Sequence, residues 1–364
     1  MITGHLEIPR RIKGRFIPVA LPPAGTFVGQ TVLIIGGTSG VGLAAAIHFA
    51  TLGADVIITY RIPSRGDAAK KHIENAVRSH RKGSVSVLTM MLDLDCYASC
   101  TGFIDELKKS VPDPATLDVA LISAGMSNTE YELSPEGWER TIQVNTISTT
   151  LLGLLLLDWM RQGRGRRSSP AHLDFVTSRD HLYPDIGALA KLSKKEGGIL
   201  RQISSEENWP GYAETDPNYA NSKLFVMYTV AEISKLARGP GGQPLVIVNS
   251  LCPGFVRTGI SRNAAARSRF MYIVVNVYMA TLGKTPDHGA RICTTVALKP
   301  EENHGEFFNY WFSPSLYARV AAANMTSDTA KELRKLVWQD VIRELTAKVP
   351  HLEWALSSFE EPPK

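Results

Sequence analysis

Residues Thr31–Gly53 read TVLIIGGTSGVGLAAAIHFATLG, and the fold turns on them. TVLIIGG is a continuous apolar run ending in glycines, the pattern of a strand buried on both faces. VGLAAAIHFATLG follows with helical spacing and stops at Gly53. The turn between them carries Gly36, Gly40 and Gly42, which let the backbone bend tightly and approach a pyrophosphate. The helix start then offers free N–H groups and a positive dipole end to such an anion. A glycine-rich strand–helix turn with no ligand would read the same in isolation.

Outward from that stretch the two periods alternate. ADVIITYR is a second strand, Gly66–Ser79 a polar helix, SVSVLTMML a strand, Cys100–Ser110 a helix and LDVALIS a strand. A long helix is predicted from near Ser134, then the strand AHLDFVTS ending at Ser178. Strands alternating with helices imply parallel βαβ units with right-handed crossovers. About forty residues of mixed character come next, then a helix Tyr219–Ala237, the strand PLVIVNSLCPG and an apolar helical segment to Leu282. Thr285-Pro286 opens another helix, with proline where its missing N–H costs nothing. GEFFNYW reads as a last strand, Asp328–Lys348 as an amphipathic helix and FEEPPK as a frayed tail. The expected class is α/β: one doubly wound parallel sheet of the Rossmann kind. Its limits are residues 30–320, with an N-terminal extended arm (1–29), an insert (179–218), a lid (259–284) and a C-terminal helix and tail (321–364).

Composition narrows the function. The 364 residues are 44% apolar and 21% charged, which describes a globular chain and excludes a disordered one. The formal charge is only +5 and no basic run is long enough for a nucleic-acid footprint. Four cysteines (Cys96, Cys100, Cys252, Cys293) are no disulfide framework, and Cys96 and Cys100 lack the histidine neighbours a metal site would need, so reduced thiols are expected. MITGHLEIPRRIKGRF lacks an apolar core of signal-peptide length, and Leu151–Leu157 and Tyr272–Leu282 fall short of the roughly 20 residues of a spanning helix. An intracellular, cytoplasmic chain is expected. Tyr272–Leu282 could still lie against a membrane surface.

The second chemical signal is Tyr219-Ala220-Asn221-Ser222-Lys223. Positions four apart share a helix face, so phenol and ammonium point the same way. A nearby ammonium favours the phenolate and lowers a tyrosine pKa from near 10, which makes the phenol a usable proton donor and acceptor. Tyr-x-x-x-Lys alone is a common accident. Here it follows the glycine turn and a strand ending in serine, in that order.

On these residues the chain resembles the short-chain dehydrogenase/reductase family over about residues 30–315, and within it the retinol-dehydrogenase-like branch and fungal secondary-metabolism reductases. GGTSGVG matches the family's cofactor turn, with Ile35 in place of its usual threonine. The resemblance assigns Gly36, Thr38, Ser39, Gly40, Val41 and Gly42 to cofactor binding. Asp93 and Leu94 follow the third strand, where the family contacts the adenine. Ile122-Ser123-Ala124-Gly125 stands where the family has Asn-Asn-Ala-Gly, so Ala124 and Gly125 carry over and Ser123 must supply a different hydrogen bond or leave one unmade. Asn145 falls at the structural and proton-relay asparagine, Ser178 at the catalytic serine, and Tyr219 and Lys223 at the catalytic pair, which also holds the cofactor with Asn145. Pro253, Gly254, Val256 and Thr258 match the motif that holds the nicotinamide end.

The cofactor expected is NADP(H). Tyr60, not a carboxylate, closes the second strand where an NAD-preferring protein carries an acid, and Arg61 follows with a guanidinium suited to a 2′-phosphate. The insert between Ser178 and Tyr219 is much longer than the family's usual spacing; a surface excursion is the plain alternative to the expected role in shaping the substrate pocket. The implied reaction interconverts a ketone and a secondary alcohol on a bulky apolar molecule of polyketide or terpenoid type. Same-fold epimerisation, dehydration or cyclisation, and a catalytically silent NADP(H)-binding protein, remain as alternatives. Segment Arg269–Leu282 occupies the family's lid region, and a packing helix is the equal reading. Arg161, Arg164, Arg166 and Arg167 read as a solvated loop, Leu151–Leu157 as core plus a face through which the family often forms homodimers, His48 as packed, and the sequon Asn324-Met325-Thr326 as chance.

Overall fold

The computed structural model describes residues 19–80, 85–209, 217–258, 281 and 283–359. Seven parallel strands form one sheet in the order β3-β2-β1-β4-β5-β6-β7. The strands are β1 (Thr31–Ile35), β2 (Asp55–Tyr60), β3 (Val87–Met91), β4 (Leu117–Ile122), β5 (Ala171–Val176), β6 (Val246–Leu251) and β7 (Phe307–Phe308). The order reverses between β1 and β4, which opens a crevice at the carboxyl ends of those strands, the usual ligand position in such sheets.

The continuous apolar runs are buried on both faces because helices cover both. Side chains alternate across a strand. Val32 and Ile34 of β1 therefore join one core with Phe49, Ile73 and Ile292, under α1 (Gly40–Thr51), α2 (Pro63–His80) and α8 (Pro286–Val296). Leu33 and Ile35 join the other core with Phe103, Leu151 and Phe225. That face is covered by α3 (Tyr97–Ser110), α4 and α7 (Pro217–Leu236). The helix α4 is composite: an α turn Arg140–Ile142, a π-helical stretch Gln143–Ser148 and an α run Thr149–Arg161. Its predicted start near Ser134 is corrected to Arg140. Pro135 and Gly137 (φ +85°) hold a turn there, and the Glu139 carboxylate caps the N–H groups of Thr141 and Ile142.

Two further expectations change, and the insert is settled against its plain alternative. Its described part is no surface excursion: α5 (Ile186–Leu192) and α6 (Gly198–Ile203) contribute Leu189, Ile199, Leu200 and Ile203 to the second core. They pack against α10 (Asp328–Lys348), whose Leu333, Val337, Val341 and Leu345 belong to that same core. A helix not predicted, α9 (Pro314–Met325), precedes it, and α11 (His351–Ser358) follows. Near the other terminus, residues 24–29 form turns in place of an extended arm. Phe27 there is fully buried, edge-on to Phe49 at 4.9 Å. Most of the expected lid 259–284, with Tyr272–Leu282, residues 1–18 of the arm and the end of the tail lie outside the described residues.

Of the arginine run, Arg161, Arg164 and Arg167 are tied into the structure, whereas Arg166 stays solvated as expected, its side chain 58% exposed. Arg161 is buried against the Phe359 ring, Arg164 faces Glu301, Arg166 pairs with Asp113, and Arg167 pairs with Asp118. Leu151–Leu157 is core apart from the half-buried Leu155. His48 is packed, its Nε2 3.0 Å from the Asp287 carbonyl. Asn324 is buried in α9 and donates to two carbonyls, which leaves no exposed amide for a glycan. All four cysteines are free. Among the described residues no helix is long and apolar enough to cross a membrane, and no group of three or more His, Cys, Asp or Glu could hold a metal.

Candidate active site

The first loop of the crevice is the glycine turn between β1 and α1. Gly36 (φ +86°) adopts a left-handed conformation, and a Cβ there would stand 2.8 Å from the Ala124 backbone. A Cβ on Gly42 would stand 2.3 Å from the Gly36 carbonyl oxygen. Only glycine lets the turn close this tightly on the end of β4. The Gly36 N–H donates to Thr59 Oγ1 at 3.0 Å. Ser39 is the N-cap of α1 in extended conformation and its hydroxyl makes no capping bond, so the first turn of α1, with Gly40 and Val41, leaves its N–H groups to another partner. The Thr258 methyl packs on Gly40, bringing the loop after β6 onto this turn, with Thr38 between strand and helix. This cradle and the open helix start fit a dinucleotide diphosphate.

The loops after β2 and β3 adjoin it. Tyr60 closes β2 with its ring against Gly66. Arg61 Nη1 lies 3.3 Å from Asp95 Oδ2, with its side chain 52% exposed. Asp95 is in turn gripped by Arg140 through Nε and Nη2. Asp93 Oδ1 accepts the Asp95 N–H at 3.1 Å, and the buried Leu94 gives its carbonyl to Ser148 Oγ at 2.6 Å. Sequence reasoning missed both Asp95 and Arg140. Only the packing of α4 on this loop reveals them.

Two of the expected site residues, Lys223 and Asn145, meet around Gly125. A Cβ on this residue would lie 3.3 Å from Lys223 Nζ and 3.4 Å from Asn145 Oδ1. Asn145 sits in the π stretch of α4, a feature common at functional sites. Its Nδ2 donates to the Met126 carbonyl (2.8 Å) and to Ser222 Oγ (3.0 Å), and its Oδ1 accepts the Met126 N–H (2.9 Å). It thereby joins the loop after β4 to α7. Lys223 Nζ is 5.4 Å from the centre of the Tyr219 ring. The lysine is 5% exposed, and burial lowers its pKa to about 8.

Ser178 caps the turn Arg179–Leu182, its Oγ accepting the Asp180 N–H at 3.2 Å. That turn packs on α7. The Arg179 N–H in turn donates to Cys252 Sγ at 3.3 Å, and burial pushes the thiol up to about 11. Cys252 leads into Pro253 and Gly254, so serine turn and Pro-Gly loop are joined. Val256 bridges Lys284, a buried lysine whose ammonium faces the Trp311 ring at 6.0 Å beside Gly254. Burial lowers the pKa of Lys284 as well. Ser123 donates its backbone N–H to Ile35 O at 2.9 Å, which continues the β1–β4 ladder by one residue. Every residue expected at the site thus lies at the carboxyl ends of the strands or on the α4 and α7 segments facing them. Lys284 and Trp311 went unnoticed in sequence, and Cys252 was read there only as a reduced thiol, although Cys252 and Lys284 adjoin recognised motifs.

Residues 30–167 match the family model for short chain dehydrogenase. Over 340 residues the chain is 32% identical to the short-chain dehydrogenase/reductase ffsI of Aspergillus flavipes, covering 92% of this chain and 91% of that protein. It is also 32% identical over 333 residues to the short-chain dehydrogenase/reductase phmF of Phaeosphaeria nodorum, covering 90% of each. Among solved structures, the L-sorbose reductase of Gluconobacter frateurii complexed with NADPH and L-sorbose shares the fold. Its TM-score is 0.57 at 16% identity, covering 79% of this chain and 96% of that one. With nearly full-length relatives at this identity, and the sheet order and glycine turn described above, the chain belongs to the short-chain dehydrogenase/reductase family.

Proposed function

We propose that this protein is an NADPH-dependent oxidoreductase that interconverts a ketone and a secondary alcohol on a bulky apolar small molecule of polyketide or terpenoid type. The observation that carries the reading is the cluster at Gly125, where a buried lysine meets a braced asparagine and also faces the Tyr219 ring at 5.4 Å. The glycine turn and Thr258 would hold the diphosphate, Pro253 and Gly254 the nicotinamide end, and Asp93 and Leu94 the adenine end. Arg61 and the lack of a carboxylate at the end of β2 favour a 2′-phosphate, with Asp95 orienting the guanidinium. A bound NADPH supplies the hydride.

The chain's own residues position and move the proton. Ser178 donates a hydrogen bond to the substrate oxygen. Tyr219 gives its proton to that oxygen in reduction and takes it back in oxidation. Lys223 stabilises the phenolate that results. Asn145 keeps the loop after β4 in place and anchors the water that resupplies the proton. We place the protein in the cytoplasm and a homodimer face on the helix that carries Leu151–Leu157, where Leu155 is the half-buried member of the run.

The deciding experiment incubates the protein with NADPH and a panel of bulky ketones, comparing the fall in NADPH absorbance with alcohol formed. Stoichiometric loss supports the reading. Product without NADPH loss would move the protein to epimerase, dehydratase or cyclase chemistry.

A further inference from the structure

Three residues beyond Ser178 lies a buried histidine that the mechanism above does not use. His181 Nδ1 is 2.6 Å from the Ser178 carbonyl oxygen, and its Nε2 is 3.0 Å from the Tyr317 hydroxyl. A carbonyl only accepts, so Nδ1 carries the hydrogen, and Nε2 of the neutral ring accepts from the Tyr317 O–H. The ring is fully buried, edge-on to Phe307 at 5.1 Å and to Tyr317 at 5.9 Å. Asn324 Nδ2 donates to the carbonyls of His181 and Pro184, both at 3.1 Å. The Asn324 carbonyl itself accepts the Tyr228 hydroxyl at 2.7 Å. Helix α9 therefore grips the serine turn from one side while α7 braces it from the other.

We propose that His181 and Tyr317 are a positioning pair for Ser178: Tyr317 orients the imidazole, and the imidazole holds the Ser178 carbonyl so that the serine hydroxyl stays aimed into the crevice. Among the described residues, that carbonyl is otherwise held only by the weaker 3.3 Å bond from the His181 N–H. Its Oγ spends one lone pair on the Asp180 N–H, which leaves the O–H free to donate. A segment near the end of the chain thus completes the site without touching substrate. The inference rests on the catalytic role proposed for Ser178.

The test uses full-length His181→Phe, His181→Asn and Tyr317→Phe with NADPH and the ketone from the panel that wild type turns over fastest. Displacing a positioned group by a fraction of an ångström costs on the order of tenfold or more in rate. His181→Phe should therefore lose at least about tenfold in kcat with an unchanged Kd for NADPH. His181→Asn, whose amide N–H can stand in for Nδ1–H, should regain most of that loss, and Tyr317→Phe should fall between. Equal losses in His181→Phe and His181→Asn, or wild-type kcat in a folded His181→Phe, would overturn the pair. A separate readout needs no turnover: nitrogen NMR of histidine-labelled protein should show His181 as the Nδ1–H tautomer. An Nε2–H tautomer would overturn the pair even if the proposed reaction stands. Should no ketone be reduced while the Nδ1–H tautomer is seen, the reaction fails and the hydrogen-bond pair survives.

Discussion

Lys223 Nζ stands 5.4 Å from the centre of the Tyr219 ring, one helical turn away, with the ammonium almost out of water. In the proposed reaction Tyr219 is the proton donor, and a neighbouring ammonium stabilises the phenolate as it forms. Tyr219→Phe removes only the hydroxyl. It should lower turnover by about 10²–10⁴-fold, the usual worth of a general acid, while NADPH titration gives the wild-type Kd. Normal turnover in this variant would refute the assignment of Tyr219.

Gly125→Ala places a methyl 3.3 Å from Lys223 Nζ and 3.4 Å from Asn145 Oδ1. Both groups must give way by a few tenths of an ångström. The expected result is a kcat reduced about tenfold or more with little change in Tm. Gly42→Ala meets backbone at 2.3 Å, which cannot yield so cheaply. There NADPH affinity and thermal stability should fall together.

Asn145→Ala strips the Met126 N–H and carbonyl of their side-chain partner and takes from Ser222 Oγ the bond it accepts, leaving the one it donates to the Tyr219 carbonyl. Leaving such buried groups unpaired costs about 1–3 kcal/mol, so urea unfolding should move to a lower midpoint at constant slope. Turnover should fall by more than the stability loss explains, because the loop carrying Gly125 is released. An unchanged midpoint would show that water replaces the asparagine.

His172 and His181 are buried as neutral rings, and desolvation holds each near a pKa of about 4. The unfolded chain takes up these protons near 6.5. Because the folded value is the lower one, stability is whole above 6.5 and is lost as pH falls from there towards 4. The slope is at most about 1.4 kcal/mol per pH unit for each histidine. Urea midpoints measured from pH 7 to pH 5 should decline, and His172→Gln should decline less steeply. A wild-type midpoint flat over that range would contradict the burial of neutral rings.

Arg61 is half exposed and shares Asp95 with Arg140. Arg61→Ala should raise the KM for NADPH about tenfold and leave that for NADH nearly unchanged, since only the former has a phosphate to lose a guanidinium. Equal effects on both cofactors would remove Arg61 from the 2′-phosphate site.

What could be read in the chain alone was whatever rests on short-range order. Apolar runs ending in glycine, a proline just inside a helix start and a phenol four residues before an ammonium give the parallel sheet, the glycine cradle and the Tyr219–Lys223 pair, because period and spacing act over one or two turns. Even the span Asp328–Lys348 was read to the residue. The start of α4 was misread because the capping carboxylate of Glu139 outweighs a serine upstream.

Only the tertiary structure decided that the insert after Ser178 and the C-terminal helices build one core, that Arg61 answers to Asp95 and Arg140, and that His181 joins Tyr317 behind the serine turn. These partners lie far apart along the chain. Their meeting depends on which buried faces pack together, and no local pattern of residues records that choice.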